Sequence, residues 1–321
     1  MTRAPVVPSS LAFSIALGLS ALAGCGDGRV PPPGAVEAEE PPPAAEPQPE
    51  ALAPPPEGGQ QLASGPYELA PGQEKFLCVT HRSPADAARA IREIEMLGGV
   101  DVHHAVLFRS TGAAEDRAEW ECENLADLTS WFPIWGGGTG SKGFRLPDGV
   151  GFLVEKETQY MVQYHLLNAR PTAVRGVAGL NLAYAATAGI QPAGPFALSG
   201  LSFRIPASAE YQQTISCEAT RDMHVVGVLP HMHQMGRWAS FEHGADAGPM
   251  AEVYRRDPWN FDDQAMDAFD MTIKKGDRLR ATCAWNNTSA REVTFGESTH
   301  DEMCFMVLFY YPFDGLDGCL R

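Results

Sequence analysis

The sequence predicts an all-β fold of two tandem antiparallel sandwiches, and three observations carry that reading. Seven short runs of 5–9 residues, rich in Val, Phe, Tyr or Leu, recur after Gly65: Val102–Phe108, Gln159–Leu166, Val177–Tyr184, Leu201–Ile205, Met223–Leu229, Leu279–Trp285 and Met303–Tyr311. Gly, Pro and Asp break the chain between them, as turns between strands require. The Gly-, Ala- and Pro-rich stretch Thr187–Pro195 divides this part into halves of about 125 residues, the size of single sandwiches. One segment departs from the pattern. In Pro84–Leu97 the apolar positions Ala87, Ala88, Ile91, Ile94 and Leu97 are spaced as on a helix, with Ser83 as a cap. It predicts a single helix. No internal repeat is visible.

The 321 residues are 44% hydrophobic and 20% charged, which is globular composition. Lys+Arg number 24 against 40 Asp+Glu, a formal charge of −16. The first 64 residues carry 2 basic and 7 acidic side chains, so the remainder keeps −11 and the acidity belongs to the folded part. A nucleic-acid footprint needs a basic patch, and this balance excludes one. After residue 23 no run approaches the roughly 20 apolar residues of a spanning helix, which excludes a multi-pass membrane protein.

Residues 1–24 read as an export signal: Arg3, then an apolar stretch from Leu11 to Ala23. It ends Leu22-Ala23-Gly24-Cys25, which resembles the lipobox of bacterial lipoproteins. The resemblance implies that Cys25 becomes the lipid-bearing N-terminus and places the protein in the bacterial cell envelope, on the periplasmic face or at the outer surface. Membrane contact is then through the lipid alone. Residues 25–64 are rich in proline, 11 of the chain's 26 falling between Pro31 and Pro56. With Glu and Ala between them they cannot bury a core and predict a disordered tether.

Cys78, Cys122, Cys217, Cys283, Cys304 and Cys319 remain, an even number in an exported chain, which suggests disulfides. No Cys-x-x-Cys occurs, so zinc ribbons and thioredoxin sites are out. If bridges consume the thiols, a metal site must be built from His, Met and carboxylates. Two other signals fail: Lys142 of Gly136–Lys142 follows Ser141 where a P-loop needs glycine, and the folded part holds no Gly-x-Ser-x-Gly elbow.

The nine histidines cluster. His231 and His233 sit in Pro-His-Met-His-Gln-Met-Gly, and side chains two apart on a strand share a face, so both rings can reach one ion. His103 and His104 are neighbours, which a regular strand points to opposite faces; sharing a metal needs a bulge, a twist or a strand end. Without one, one ring packs and the other is solvated. His165, in Gln163-Tyr164-His165, reads alone as a core histidine. His81, His224, His243 and His300 have no partner at ligand spacing.

In order along the chain stand the His-His pair, Trp135–Gly138, the Gln-x-His strand, Ile205-Pro206 ahead of Cys217, and Met223-His224-Val225. Then come His231-x-His233 with Gly236, Gly276-Asp277 before Cys283, and Asp301-Glu302-Met303-Cys304 before an aromatic strand. This series resembles the copper type II, ascorbate-dependent monooxygenase family, that of the peptidylglycine α-hydroxylating and dopamine β-monooxygenases, over nearly all of residues 70–321. The resemblance implies two jelly-roll-like sandwiches, 65–190 and 191–321, with one copper each. Copper H would be held by His103, His104 and His165, and copper M by His231, His233 and Met303. Imidazole suits copper in both oxidation states, and a thioether selects Cu(I), the state that meets dioxygen; without that context Met303 would read as a gap-filler. The resemblance also implies bridges Cys78–Cys122, Cys217–Cys319 and Cys283–Cys304.

The implied activity is insertion of one atom of O2 into a substrate C–H bond, the other leaving as water. Ascorbate or another one-electron donor supplies electrons through copper H, beside whose ligand strand Gln163 is a candidate for the electron route. Peptide-hydroxylating members hold a substrate carboxylate with Arg, Asn and Tyr where this chain has Leu229, Phe305 and Val307. Three apolar residues cannot compensate a buried anion, so the expected substrate is apolar or aromatic. Two other readings stay open: a copper-binding lipoprotein that sequesters metal without turnover, and a surface sandwich whose histidines are incidental.

Overall fold

The computed structural model describes residues 51–99, 101–112, 117–122, 130–138, 143–245, 247–315 and 317–320. The export signal, Cys25 and the tether as far as residue 50 lie outside the described residues. Strands make the fold; among the described residues there is no helix.

In the first half a five-stranded sheet runs in the order Glu119–Glu121, Glu74–Arg82, Gln159–Leu167, Val102–Ser110, Trp131–Gly138. A second sheet, ordered Gln60–Ala63, Gly179–Ala185, Arg89–Leu97, Val150–Val154, Gln191–Pro192, packs against it around Ile91, Ile94, Leu107, Trp135 and Tyr164. The second half repeats the plan with the sheets Asp267–Ile273, Met223–His231, Phe305–Tyr311, Gly194–Ser199, Asp317–Leu320 and Ala209–Glu218, Arg278–Asn287, Gly236–Gly244, Ala251–Arg256. Its core holds Phe196, Val225, Phe241, Trp285 and Leu308. Among the described residues two edge pairings are parallel, Gln191–Pro192 on Val150–Gly151 and Gly194–Ser199 on Asp317–Leu320, and the other pairings between these strands are antiparallel. Leu229 and Phe309 of the second half belong to the first core, so the halves share a packed junction.

Three expectations change. The expected helix is a strand, Arg89–Leu97. Ile91 pairs with Tyr184 and Glu93 with Ala183, so Arg92 is an extra residue, a bulge. The bulge shifts the alternation by one and buries Ile91 and Ile94 together, three apart, which imitates a helical face. The tether ends earlier than residue 64: Gln60–Ala63 pairs with Gly179–Leu182, Leu62 is fully buried, and its carbonyl accepts from Tyr164 Oη at 2.5 Å. Of Leu201–Ile205 only Arg204–Ile205 is strand, Leu201 being exposed.

The bridges are Cys78–Cys122, Cys217–Cys319 and Cys283–Cys304, with Cα separations of 5.8, 6.1 and 5.9 Å, all within disulfide reach. The last ties the central strand Arg278–Asn287 to the turn that carries Met303.

Candidate metal centre

His104 and His165 are directly opposed on adjacent strands, so their rings stand side by side on one face. The next pair is Val102 with Leu166, which leaves His103 as a bulged residue. The bulge turns its ring to the same side. The Nδ1 of His104 lies 3.4 Å from that of His103 and 3.3 Å from that of His165. The outer nitrogens are tied back: His103 Nε2 donates to the Phe261 carbonyl at 3.0 Å and His165 Nε2 to Glu74 Oε1 at 2.7 Å. Those two bonds fix the tautomers. His103 and His165 therefore aim Nδ1 lone pairs at His104, whose ring can donate to at most one of them. Within the triad His104 cannot satisfy both, and a cation placed among the rings would accept all three Nδ1 lone pairs. Phe76 stacks on His165 with centroids 4.3 Å apart, and Phe261 on His103 at 4.0 Å.

The second group adjoins the first. His231 ends its strand opposite Phe305, and His233 lies beyond the strand in a turn, so the strand alternation expected to align the two rings does not apply. Their centroids are nevertheless 5.2 Å apart, at 86°. His231 Nδ1 donates to Gln264 Oε1 at 2.5 Å and His233 Nδ1 to the Asp301 carbonyl at 3.1 Å, which leaves the Nε2 lone pairs free. The Nε2 of His233 is buried and has no partner. A buried acceptor without a partner costs on the order of 1–3 kcal/mol, and a soft cation would remove that cost. Met303 is buried in the turn before the strand Phe305–Tyr311.

Three groups that the sequence did not reveal hold this arrangement. The Glu302 carboxylate is fully buried and accepts from the backbone N–H of His233 at 2.8 Å, Met235 at 2.6 Å and Met303 at 3.3 Å, and from Trp285 Nε1 at 2.8 Å. Burial pushes this carboxyl up to about 7 against the pull of those donors. Glu74 joins the halves: besides His165 it accepts from the Thr299 N–H at 2.9 Å, Thr299 Oγ1 at 3.2 Å and Ser298 Oγ at 3.4 Å. Burial would raise its pKa, but these bonds and the His165 ring hold it at about 2. Gln264 donates to the Phe261 carbonyl at 3.0 Å, so one short loop serves both His103 and His231. That loop sits against Gly138, where a Cβ would meet Gln264 Cβ at 2.9 Å and the His103 carbonyl at 3.2 Å, so the glycine lets the loop approach the histidine strand. The two histidine groups are contiguous, with the rings of His104 and His231 at 5.3 Å.

Gln163 is buried two residues from His165, its Nε2 3.9 Å from Cys122 Sγ, beside the Cys78–Cys122 bridge. Leu229 pairs with Val307, and both pack into the first core. Phe305 lies beside a histidine, 6.4 Å from His231 and 6.3 Å from Phe295 between centroids. The remaining histidines are structural in part: His243 bonds Asp277 at 2.8 Å and His224 bonds Asp270 at 3.0 Å.

Burial, and then the neighbouring imidazoles, push His104 and His231 well below the ordinary value, and bring His103 down to about 4. His233 is also held at about 4, by burial against its bond to Asp301. Neutral rings are the ligand form. In the metal-free protein the folded state therefore binds fewer protons than the unfolded chain. The stability His103 and His233 contribute is present above about 6.5 and lost as pH falls through about 4, and His104 and His231 act in the same direction. Urea midpoints of metal-free protein are expected to drop steadily over that window; a flat profile would contradict it.

An all-β protein with imidazoles converged for a metal defines the class. Residues 188–321 match the model for the copper type II ascorbate-dependent monooxygenase C-terminal domain. The chain is 30% identical over 250 residues to DBH-like monooxygenase protein 1 of Homo sapiens, covering 68% of this chain and 40% of that protein. It is 25% identical over 254 residues to peptidyl-glycine alpha-amidating monooxygenase of Mus musculus, covering 74% and 25%. The chain belongs to the copper type II, ascorbate-dependent monooxygenase family. It spans well under half the length of these relatives.

Proposed function

We propose that the chain is a dicopper monooxygenase that hydroxylates a C–H bond of a small apolar or aromatic substrate, using O2 and an external one-electron donor, ascorbate-like or other. His103, His104 and His165 hold one copper, and His231, His233 and Met303 the other. The sites belong to the two jelly-roll-like halves. The observation that carries this reading is the meeting of Nδ1 lone pairs in the first group, with every outer nitrogen that could compete tied back at His103 and His165. Copper held by the two groups would supply one-electron redox chemistry, with the Met303 thioether favouring Cu(I) at the His231–His233 group. The protein's own part is to orient the rings through Glu74, Phe261 and Gln264 and to keep His103, His104, His231 and His233 neutral by burial.

Metal analysis of the purified protein is expected to give two coppers per chain, followed by reductant-dependent oxygen uptake that rises with substrate. Copper sequestration without turnover is the competing reading; it predicts full copper and no substrate-dependent uptake. Copper near zero sinks both.

Phe305, half-buried beside His231, is the apolar contact we assign to the substrate, with Leu229 and Val307 backing it from the core. Neutral aryl-alkyl compounds are expected to exceed a glycine-extended peptide by about a hundredfold or more in kcat/KM, the size of effect an unpaired buried carboxylate produces. Efficient peptide hydroxylation, unaffected by Leu229→Arg, would refute the apolar pocket.

We also propose a lipid anchor at Cys25 in the bacterial cell envelope, on the motif Leu22–Cys25 and the Pro-rich tether. Cys25→Ala is expected to release the protein from washed membranes. Retention of the variant in the membrane pellet rules the anchor out.

A further inference from the structure

A cavity of about 380 Å³ opens where the two halves meet at Pro192. It is remote from the histidines: Arg109, on its wall, lies five residues beyond His104 on one strand, on the order of 17 Å at the strand rise. Its apolar wall is made by Phe132, Ile134, Phe152, Pro192 and Phe313. Arg109 supplies the charge. Its guanidinium stands 5.0 Å over the Phe132 ring, and among the described residues no carboxylate pairs with it. Burial, with no opposing bond, lowers its pKa, as happens to a cation that has lost water and gained no counter-ion. Half-buried arginines usually have a partner. The nearby carboxylate on the rim, Asp314, is ion-paired with Arg221 instead.

We propose that this junction cavity binds a small monocarboxylic acid with an aryl or alkyl body, the carboxylate on Arg109 and the body among Phe132, Phe152 and Phe313. The guanidinium fork matches a carboxylate in geometry and charge. One cation answers one negative charge, which disfavours phosphate and dicarboxylates. The volume is at the small end of organic-ligand sites, and junctions between domains are where such sites recur. The site needs no metal.

The test uses full-length, metal-free protein, so it stands or falls apart from the copper reading. Calorimetric titration with phenylacetate is expected to saturate, and phenylacetamide to bind at least about tenfold more weakly, the value of a charge-assisted bond. Arg109→Gln is expected to bring the acid down to the level of the amide. Leu153→Glu, on the exposed rim of the cavity, places a carboxylate at the mouth without touching the core. It is expected to weaken the acid several-fold and leave the amide unchanged, so the idea stays testable if Arg109→Gln folds poorly. Equal affinity for acid and amide, or an acid affinity untouched by either substitution, overturns the proposal. Displacement of phenylacetate by inorganic phosphate overturns it as well, since it marks a bare anion site.

Discussion

Met303→Ala is expected to remove the sulfur scatterer from the X-ray absorption signal of the reduced, copper-loaded protein and to abolish oxygen uptake, while the three-histidine site keeps its copper. His165→Ala is expected to do the reverse, emptying the triad and sparing the sulfur signal. His165 is the ring whose outer nitrogen is held by Glu74 and whose Nδ1 meets His104 at 3.3 Å. Its loss removes a ligand and strands a carboxylate that also anchors Thr299. Loss of an outer partner alone costs a metal site roughly 10–100-fold in affinity, and loss of a ligand costs more. The contiguity of the groups makes the experiment decisive. With His104 and His231 rings 5.3 Å apart, one shared centre is the alternative to two. If each substitution empties both coppers, the assignment of separate sites is wrong.

The strand content was legible because alternation and turn residues survive in the sequence; the bulges were not. Two bulges had opposite effects on the reading. At Arg92 the extra residue brought Ile91 and Ile94 onto one face and made a strand look helical. At His103 the extra residue does what the sequence could only name as a condition: it lets adjacent histidines serve one site. A bulge is a choice made by the partner strand's register, and a single strand's sequence does not carry it. The ligand residues were legible as motifs, since histidine and methionine are chemically marked. Their supports were not. Glu74 reaches Thr299 across 225 positions, and Phe261 serves His103 through a carbonyl that any residue would offer. Glu302 stood inside a recognised motif, yet its role is to collect backbone N–H groups, for which the sequence has no signature.

Glu302→Ala is expected to be the most damaging single substitution outside the ligands themselves. Its carboxylate is fully buried and is the acceptor for four donors: the N–H groups of His233, Met235 and Met303, and the Trp285 indole. Alanine leaves all four facing a cavity. Each unsatisfied buried donor costs on the order of 1–3 kcal/mol, and the costs are not strictly additive. A loss of several kcal/mol is a large share of the roughly 5–15 kcal/mol that holds a folded domain. The variant is therefore expected to melt at least about 5 °C lower or fail to accumulate. Glu302→Gln separates packing from charge. Its single oxygen can take the place of Oε2, which serves His233, Met303 and Trp285, while its amide NH2 faces the Met235 N–H. It should fold, with one donor opposed by another. Because the Met235 N–H, inside the turn that carries His233, then faces a donor and the negative charge is gone, Glu302→Gln is expected to weaken copper at the sulfur-containing site about tenfold. Copper at His103, His104 and His165 should be unchanged. Thermal unfolding of both variants and copper absorption spectra of Glu302→Gln make the check. An alanine variant that melts with the parent, or a glutamine variant that loses copper from the triad first, contradicts the role assigned to this carboxylate.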